Sequence, residues 1–254
     1  MAINSLIAKG MTEEAWTSAI QTRPTTIMTS NGKLRKDSIW NVTLPAYRAK
    51  VVINGALQEI KTCPSAGVCK SYCYAGLTGT YLFAKSMVKH ARNLQYMLDD
   101  AFGFATHLVE EIKSKREIRA VRWNDSGDFF DIHYWMIAKA VMQALPHIHF
   151  YAYSKRVSFF KERQALNDLP ANFTVVFSFG GTEDHLIDTE NDRHAKVFPN
   201  RASLRAAGYS DGTHTDRLAT NPKFVKIGLV VHGNHKAMPK YRRLVNKIMK
   251  KEAA

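Results

Sequence analysis

The sequence predicts an α/β fold: a TIM-like (β/α) barrel, compact or partial, preceded by an N-terminal hairpin and a metal-binding loop. Three observations predict it. From residue 118 onward, short β-branched and aromatic runs alternate with helical stretches, the pattern of a parallel sheet with right-handed crossovers. Each of those runs ends in polar, chemically capable residues, and α/β proteins build their sites at the carboxyl ends of strands. The 254 residues match the ~250 typical of an eight-fold barrel, while only about six strands can be counted. The expected organisation is one domain over 1–254. Residues 1–61 form a helix and strands, 62–92 a cysteine-rich loop and helix, and 116–254 the strand and helix repeats.

The elements follow in order. Thr12 is a suitable N-cap for a helix over 12–22, with Glu13 and Glu14 in its first turn. Residues 38–61 read as strands, because Val51-Val52-Ile53 runs into Asn54-Gly55, a strong short hairpin signal. A Gly- and Ser-rich cysteine loop comes next, then helices over about 80–98 and 101–115. Strands are predicted over 118–123, 148–153, 172–179 and 224–231. Helices are predicted over 132–144, 157–166, a short stretch near 201–207, and a basic terminal stretch over 238–251. Asp131 stands where the 132–144 helix needs its N-cap. The region between 180 and 224 otherwise reads as polar loop.

Composition narrows the partners. Lys and Arg number 36 against 22 Asp and Glu, a formal charge of +14, which favours a polyanion such as nucleic acid. No run of eighteen apolar residues exists, so no membrane partner is expected, and the first ten residues are too short in apolar content for a signal peptide. No duplex-reading motif such as a helix-turn-helix is present.

The cysteines carry the sharpest signal. The chain has only three, all in Cys63-x5-Cys69-x3-Cys73. An odd, clustered count argues against a disulfide framework and for a reducing compartment. Three thiolates on one loop lack one ligand for tetrahedral zinc, or leave one iron open in a four-iron cluster. In the first completion His90, separated from Cys73 by sixteen residues and on the following helix, closes a structural Cys3His zinc site; His232 or His235 are substitutes. In the second, a [4Fe–4S] cluster keeps an iron for S-adenosylmethionine, although the usual spacing there is three and then two intervening residues.

The strand exits carry the second signal. Asp125-Ser126-Gly127-Asp128 follows Trp123, and closely spaced carboxylates in a cleft push their pKa values apart, so that one acts as acid and another as base or nucleophile. Gly127 suggests close backbone approach to a ligand. Gly180-Gly181 suits a planar base or a phosphate, with Glu183 and Asp184 at the same mouth. Lys155 and Arg156 are placed to neutralise phosphates.

Together these residues bring known families into view. The set Cys63-Pro…Cys69…Cys73-Tyr-Ala, Arg-Trp-Asn-Asp-Ser-Gly-Asp-Phe-Phe (122–130), Phe-Tyr-Ala-Tyr-Ser-Lys (150–155) and Leu-Pro-Ala-Asn-Phe…Phe-Ser (169–178) resembles a group of phage-encoded proteins. Some of that group have been likened to radical-SAM barrels. Asp125-Ser126-Gly127-Asp128-Phe129 also resembles the Asp-Ser-Gly-Gly-Phe of guanine transglycosylases, including the phage branch that places 7-deazaguanines in DNA, and departs from it at Asp128. The Gly-rich Phe179-Gly180-Gly181 and a Cys3His zinc site belong to the same resemblance, though its cysteines come late in the chain and here come early.

The transglycosylase resemblance implies a DNA-modifying transferase exchanging guanine for a deazaguanine base in the host cytoplasm. Asp125 would handle the base, and Asp128 or Asp184 would be the nucleophile. Ser126, Gly127, Phe129, Gly180, Gly181 and Lys155 would bind substrate, with structural Zn2+ on Cys63, Cys69, Cys73 and His90. The radical-SAM resemblance implies instead a cluster enzyme acting on a nucleoside or nucleic acid. A zinc-stabilised nucleic-acid-binding protein without catalysis is the third expectation.

Overall fold

The structure, a computed structural model, describes residues 6–76, 83–232 and 238–252. Helix α1 (Glu13–Gln21) starts from Thr12, whose hydroxyl accepts the Ala15 N–H, as its N-cap position predicts. Helix α2 (Gly32–Lys36) starts from Asn31 in the same way. Strand β1 (Ile39–Val42) precedes a hairpin of β2 (Ala49–Ile53) and β3 (Ala56–Ile60). Its turn is Asn54 at φ 52° and Gly55 at φ 77°, the two positive values that this residue pair tolerates.

Helices α3 (Ala84–Asp99) and α4 (Ala101–Lys113) follow; residues 80–82 of the predicted helix lie outside the described residues. The alternating part then runs β4 (Ala120–Trp123), α5 (Ile132–Ala144), β5 (His149–Ser154), α6 (Val157–Ala165) and β6 (Phe173–Ser178). Asp131 caps α5 through the Tyr134 N–H. After these come β7 (His194–Phe198), α7 (Arg201–Ala206), β8 (Ser210–Asp211), α8 (Arg217–Thr220), β9 (Lys226–Val230) and α9 (Met238–Glu252).

The main sheet has seven strands in the order β1-β4-β5-β6-β7-β9-β8. All six neighbouring pairs are parallel. The fold is therefore mixed α/β, with a curled half-barrel. Among the described residues no eighth strand closes this sheet into a complete barrel. Of the strands read over 38–61, only β1 joins the sheet; β2 and β3 pair with each other in a sheet of their own. Strand β7 is a second correction, since it lies in the stretch read as polar loop. Its five residues, His-Ala-Lys-Val-Phe, follow Asp192-Arg193, and neighbours on both sides supply the pairing that its composition does not announce.

Period-two alternation divides the sheet between two faces. Val121, Trp123, Phe150, Ala152, Val175 and Phe177 pack on the side covered by α3 to α6. Ala120, Tyr151, Val176, Ala195 and Ile227 face the other side, with Leu34 of α2 and Ala219 of α8. Arg122, Tyr153, Ser178, Val197 and Leu229 share that second parity, one step nearer the carboxyl ends. Those five residues line the cavity described below.

Candidate functional site

A cavity of about 230 Å³ lies at the carboxyl ends of the parallel strands. One wall is Cys63, Cys69 and Cys73 with Tyr72, Tyr74 and Ala75. The opposite wall is the β4 exit, Asn124 to Asp128, with Lys155 and Ser178. Val231 and His232 close it from β9. The structure thus brings together two motifs that sequence spacing kept 52 residues apart, from Cys73 to Asp125.

The cysteine loop is clasped by the exit of β6. The Gly67 and Cys69 N–H groups donate to the Gly180 carbonyl at 3.2 and 3.0 Å, and the Thr182 N–H donates to the Ser65 carbonyl at 2.9 Å. Gly180 has φ +99°, and a Cβ there would lie 2.4 Å from the Tyr72 hydroxyl and 3.1 Å from the Cys69 Cβ. A Cβ on Gly67 would meet the Gly181 carbonyl oxygen at 2.5 Å. Gly180 and Gly181 are therefore small because the cysteine loop lies against them, a reason for glycine that differs from the expected one of approach to a base or phosphate. Neither lines the cavity.

Asp184 belongs to the same clasp. Its carboxylate accepts the Gly180 and Gly181 N–H groups, both at 2.8 Å, and it does not reach the cavity wall. Glu183 ties Ser65 to the start of α6, accepting from both the Ser158 N–H and its hydroxyl. These hydrogen bonds hold the Glu183 carboxyl below its usual range, against the opposing effect of burial.

Asp128 lines the cavity but is 4% exposed and fully engaged. Its Oδ1 accepts the Ser154 hydroxyl at 2.7 Å and the Phe129 N–H at 2.8 Å, and its Oδ2 accepts the Lys155 N–H at 2.9 Å. Burial still raises its pKa. Its carboxylate ties the ends of β4 and β5 together rather than standing free as a nucleophile. Phe129, expected at the substrate, is wholly buried among Trp123, Tyr134, Trp135 and Phe160. Ser126 donates to the Leu44 carbonyl at 2.7 Å. Gly127 has φ +81° and leaves no room for a Cβ beside Leu44. Lys155 keeps its cavity position, its ammonium donating to the Ser178 hydroxyl at 2.8 Å.

Asp125 stands in a charge network that the sequence did not announce. Arg122 Nη1 lies 3.2 Å from Asp125 and 3.0 Å from Asp216, and Lys33 Nζ lies 2.7 Å from Asp216. The Tyr151 hydroxyl donates to Asp216 at 2.7 Å. Burial opposes ionisation of Asp216, yet Arg122 and Lys33 outweigh it and hold the carboxyl below its usual range. Arg122 also lies over the Tyr153 ring at 4.9 Å. All five of Lys33, Arg122, Asp125, Tyr153 and Asp216 line the cavity. No spacing rule links Asp216 to Arg122, which are 94 residues apart.

The metal expectations divide. Burial pushes the Cys63 thiol up, helped by Asp128 and by the other two cysteines, while the Tyr47 N–H donates to its sulfur at 3.2 Å. His90 does not share this wall. It is buried on α3, lines no part of the cavity, and has an unpartnered Nδ1. Burial, then Lys89, lowers its pKa to about 4. Among the described residues, no three His, Cys, Asp or Glu side chains converge as a group that could hold one metal ion. His232 does line the cavity. Its Nδ1 lies 2.8 Å from the Val230 carbonyl, an acceptor only, so Nδ1 is the donor there, and in the neutral tautomer this fixes, Nε2 is the nitrogen available to a metal. His235 lies outside the described residues. No helix among the described residues is long and apolar enough to cross a membrane.

The chain belongs to the family described as Gene product 88, whose model matches residues 15–251, and is a phage-encoded protein. Neither a curated protein nor a solved structure matches it.

Proposed function

We propose that the chain is an iron–sulfur enzyme that modifies a nucleoside or nucleic acid, with its chemistry in the cavity between the cysteine loop and the strand ends. The observation that carries this reading is that Cys63, Cys69 and Cys73 line the same cavity as Asp125, Asp128 and Lys155. A structural zinc site is closed, with every ligand turned onto the metal. Three soft donors facing a chamber suit a reactive centre instead. A four-iron cluster takes each thiolate on a separate iron.

Bound there with S-adenosylmethionine, such a cluster supplies radical chemistry at a substrate atom. The chain's own residues would bind and orient. Lys155, fixed by Ser178, offers a cation to an anionic group. Asp125, held by Arg122, offers an acceptor to a base edge. Asp128 fixes the spacing of the two strand ends that carry them. The +14 charge suits a polyanionic substrate. The base-exchange alternative retains Asp125, but Asp128 and Asp184 offer it no unengaged nucleophile.

One observation favours a second reading of the metal. His232 presents Nε2 from within the cavity, so a Cys3His zinc site would use His232 rather than His90. Metal analysis after anaerobic purification separates the two. About four irons with sulfide per chain, lost in Cys63→Ser and kept in His90→Ala, is the expected result. One tightly held zinc, lost in His232→Ala, overturns the cluster reading. Mass spectrometry of nucleosides from DNA and RNA of expressing cells tests the substrate. A loaded cluster with unchanged nucleosides in both pools overturns that half.

A further inference from the structure

Helix α9 reads Met-Pro-Lys-Tyr-Arg-Arg-Leu-Val-Asn-Lys-Ile-Met-Lys-Lys-Glu. Its apolar side is occupied: Tyr241 and Val245 are buried with Val231, and Tyr72, Val197 and Met249 pack against them. Three of those neighbours, Tyr72, Val197 and Val231, also line the cavity, so the helix lies one side chain away from it. Lys240, Arg242, Arg243, Lys247, Lys250 and Lys251 are all exposed. Lys240, Arg243, Lys247 and Lys251 follow at intervals of three or four, which sets one cation per turn, about 5.4 Å apart, along one line.

The cavity wall that this helix packs behind also carries a pair of rings. Tyr74 is 38% exposed, and its ring centroid lies 5.3 Å from that of His232. Both line the cavity. A row of cations next to aromatic rings at a chamber is the arrangement that single-stranded nucleic acid selects: phosphates lie on the charges and bases on the rings.

We infer that α9 is the backbone track for a single-stranded nucleic acid, and that Tyr74 and His232 receive the base entering the cavity. This rests on the proposal that the cavity acts on a nucleoside or nucleic acid, and it commits that proposal to a polymer rather than a free nucleoside. A duplex is disfavoured, because a base reaches a chamber at strand ends only after leaving its stack. An anionic membrane is disfavoured for a different reason. A helix lying in a bilayer interface inserts its apolar face, and here that face is already buried against the sheet.

The test is fluorescence anisotropy with labelled single-stranded DNA and RNA of mixed sequence and the matching duplex, across a salt series. With the four-cation line engaged, log K against log salt has a slope near −2.8, from about −0.7 per phosphate. Arg243→Glu with Lys247→Glu should weaken single-strand binding at least tenfold and flatten the slope by about 1.4. The Arg243→Gln, Lys247→Gln pair should flatten it equally, which excludes a folding artefact. Tyr74→Ala should lose about fivefold to a hundredfold in affinity with the slope unchanged.

Unchanged affinity and slope in the α9 variants overturns the inference. So does tighter binding to duplex, or binding to phosphatidylserine vesicles in place of the oligonucleotide. Because binding needs no cluster, the two proposals fail separately. Oligonucleotide binding without iron sinks only the cluster reading, and iron with wild-type binding in the α9 variants sinks only this one.

Discussion

Replacing Gly180 by alanine tests whether the cysteine loop, rather than a ligand, is what requires glycine there. Two costs combine. At φ +99° an L-residue is strained by roughly 1–2 kcal/mol. The new methyl would also lie 2.4 Å from the Tyr72 hydroxyl and 3.1 Å from the Cys69 Cβ, so the loop must move. Moving it endangers the Gly67 and Cys69 N–H bonds to the Gly180 carbonyl, each about 1 kcal/mol net. The expected loss is about 3–4 kcal/mol, read as a lower urea midpoint in equilibrium unfolding. Gly208 supplies the internal control. It has φ +75° but nothing within 4 Å of an added Cβ, so Gly208→Ala should cost only the strain, roughly 1–2 kcal/mol. The excess in Gly180→Ala measures the clasp, and metal loading should fall with it. Equal destabilisation by the two variants, with metal loading intact, would refute the close-approach argument.

Two further outcomes follow from the buried charges. Asp216→Asn leaves Arg122 and Lys33 without their shared carboxylate and should cost about 3–5 kcal/mol. The Asp216 carboxyl is held below its usual range, so its stabilisation is present above the unfolded value near pH 4 and is lost as pH falls through the folded one. The variant's stability should accordingly show a shallower acid limb, measured as urea midpoint against pH. His90 acts in the same direction, but at higher pH and because its neutral form is the one buried. Its pKa falls from 6.5 to about 4 in the fold, so the unfolded chain takes up a proton first and stability drops as pH falls through that window. The drop is about 3 kcal/mol by pH 4. His90→Leu should abolish it, and a midpoint-against-pH curve unchanged from wild type would show that the ring is not buried neutral.

Local signals proved legible in this chain and distant ones did not. Thr12 and Asp131 both act as the caps their positions announce, and Asn54-Gly55 makes the hairpin. These depend on neighbours within a few residues, so composition suffices. The strand exits were legible for a related reason. Parallel strands all present their carboxyl ends on one side, so Asp125, Lys155 and His232 meet once the sheet exists. Pairings across the chain left no trace. Asp216 reaches Arg122 from a stretch read as loop, and Lys33 reaches Asp216 from a five-residue helix. The chemistry of a motif was legible while its duty was not. Asp128 and Asp184 have the right type for catalysis, but their oxygens are taken by hydrogen-bond donors that sequence order does not reveal.

The proposed function makes the thiols reactive rather than structural, and the way the cysteine loop is held fits that proposal. A closed metal knot folds its loop by binding the metal. This loop has other ties. Cys63 exchanges bonds with Tyr47, its N–H donating to that carbonyl at 3.3 Å and its sulfur accepting at 3.2 Å. The Thr62 carbonyl accepts the Asp128 N–H at 2.8 Å, so the loop's first residues and the β4 exit move as one piece. Gly180, Asp184 and Glu183 fasten the rest. Protein contacts therefore hold Cys63 and Cys69 where they face the cavity. On the proposed function, a loop held that way would not need a metal for its shape, so a bound metal would be free to keep an open coordination position for chemistry. The consequence is measurable in the apo protein: chelation should strip the metal and lower stability by the metal's own binding energy, while the far-ultraviolet circular dichroism and a cooperative urea transition remain. A collapse of the fold on chelation would return the cysteines to the structural role.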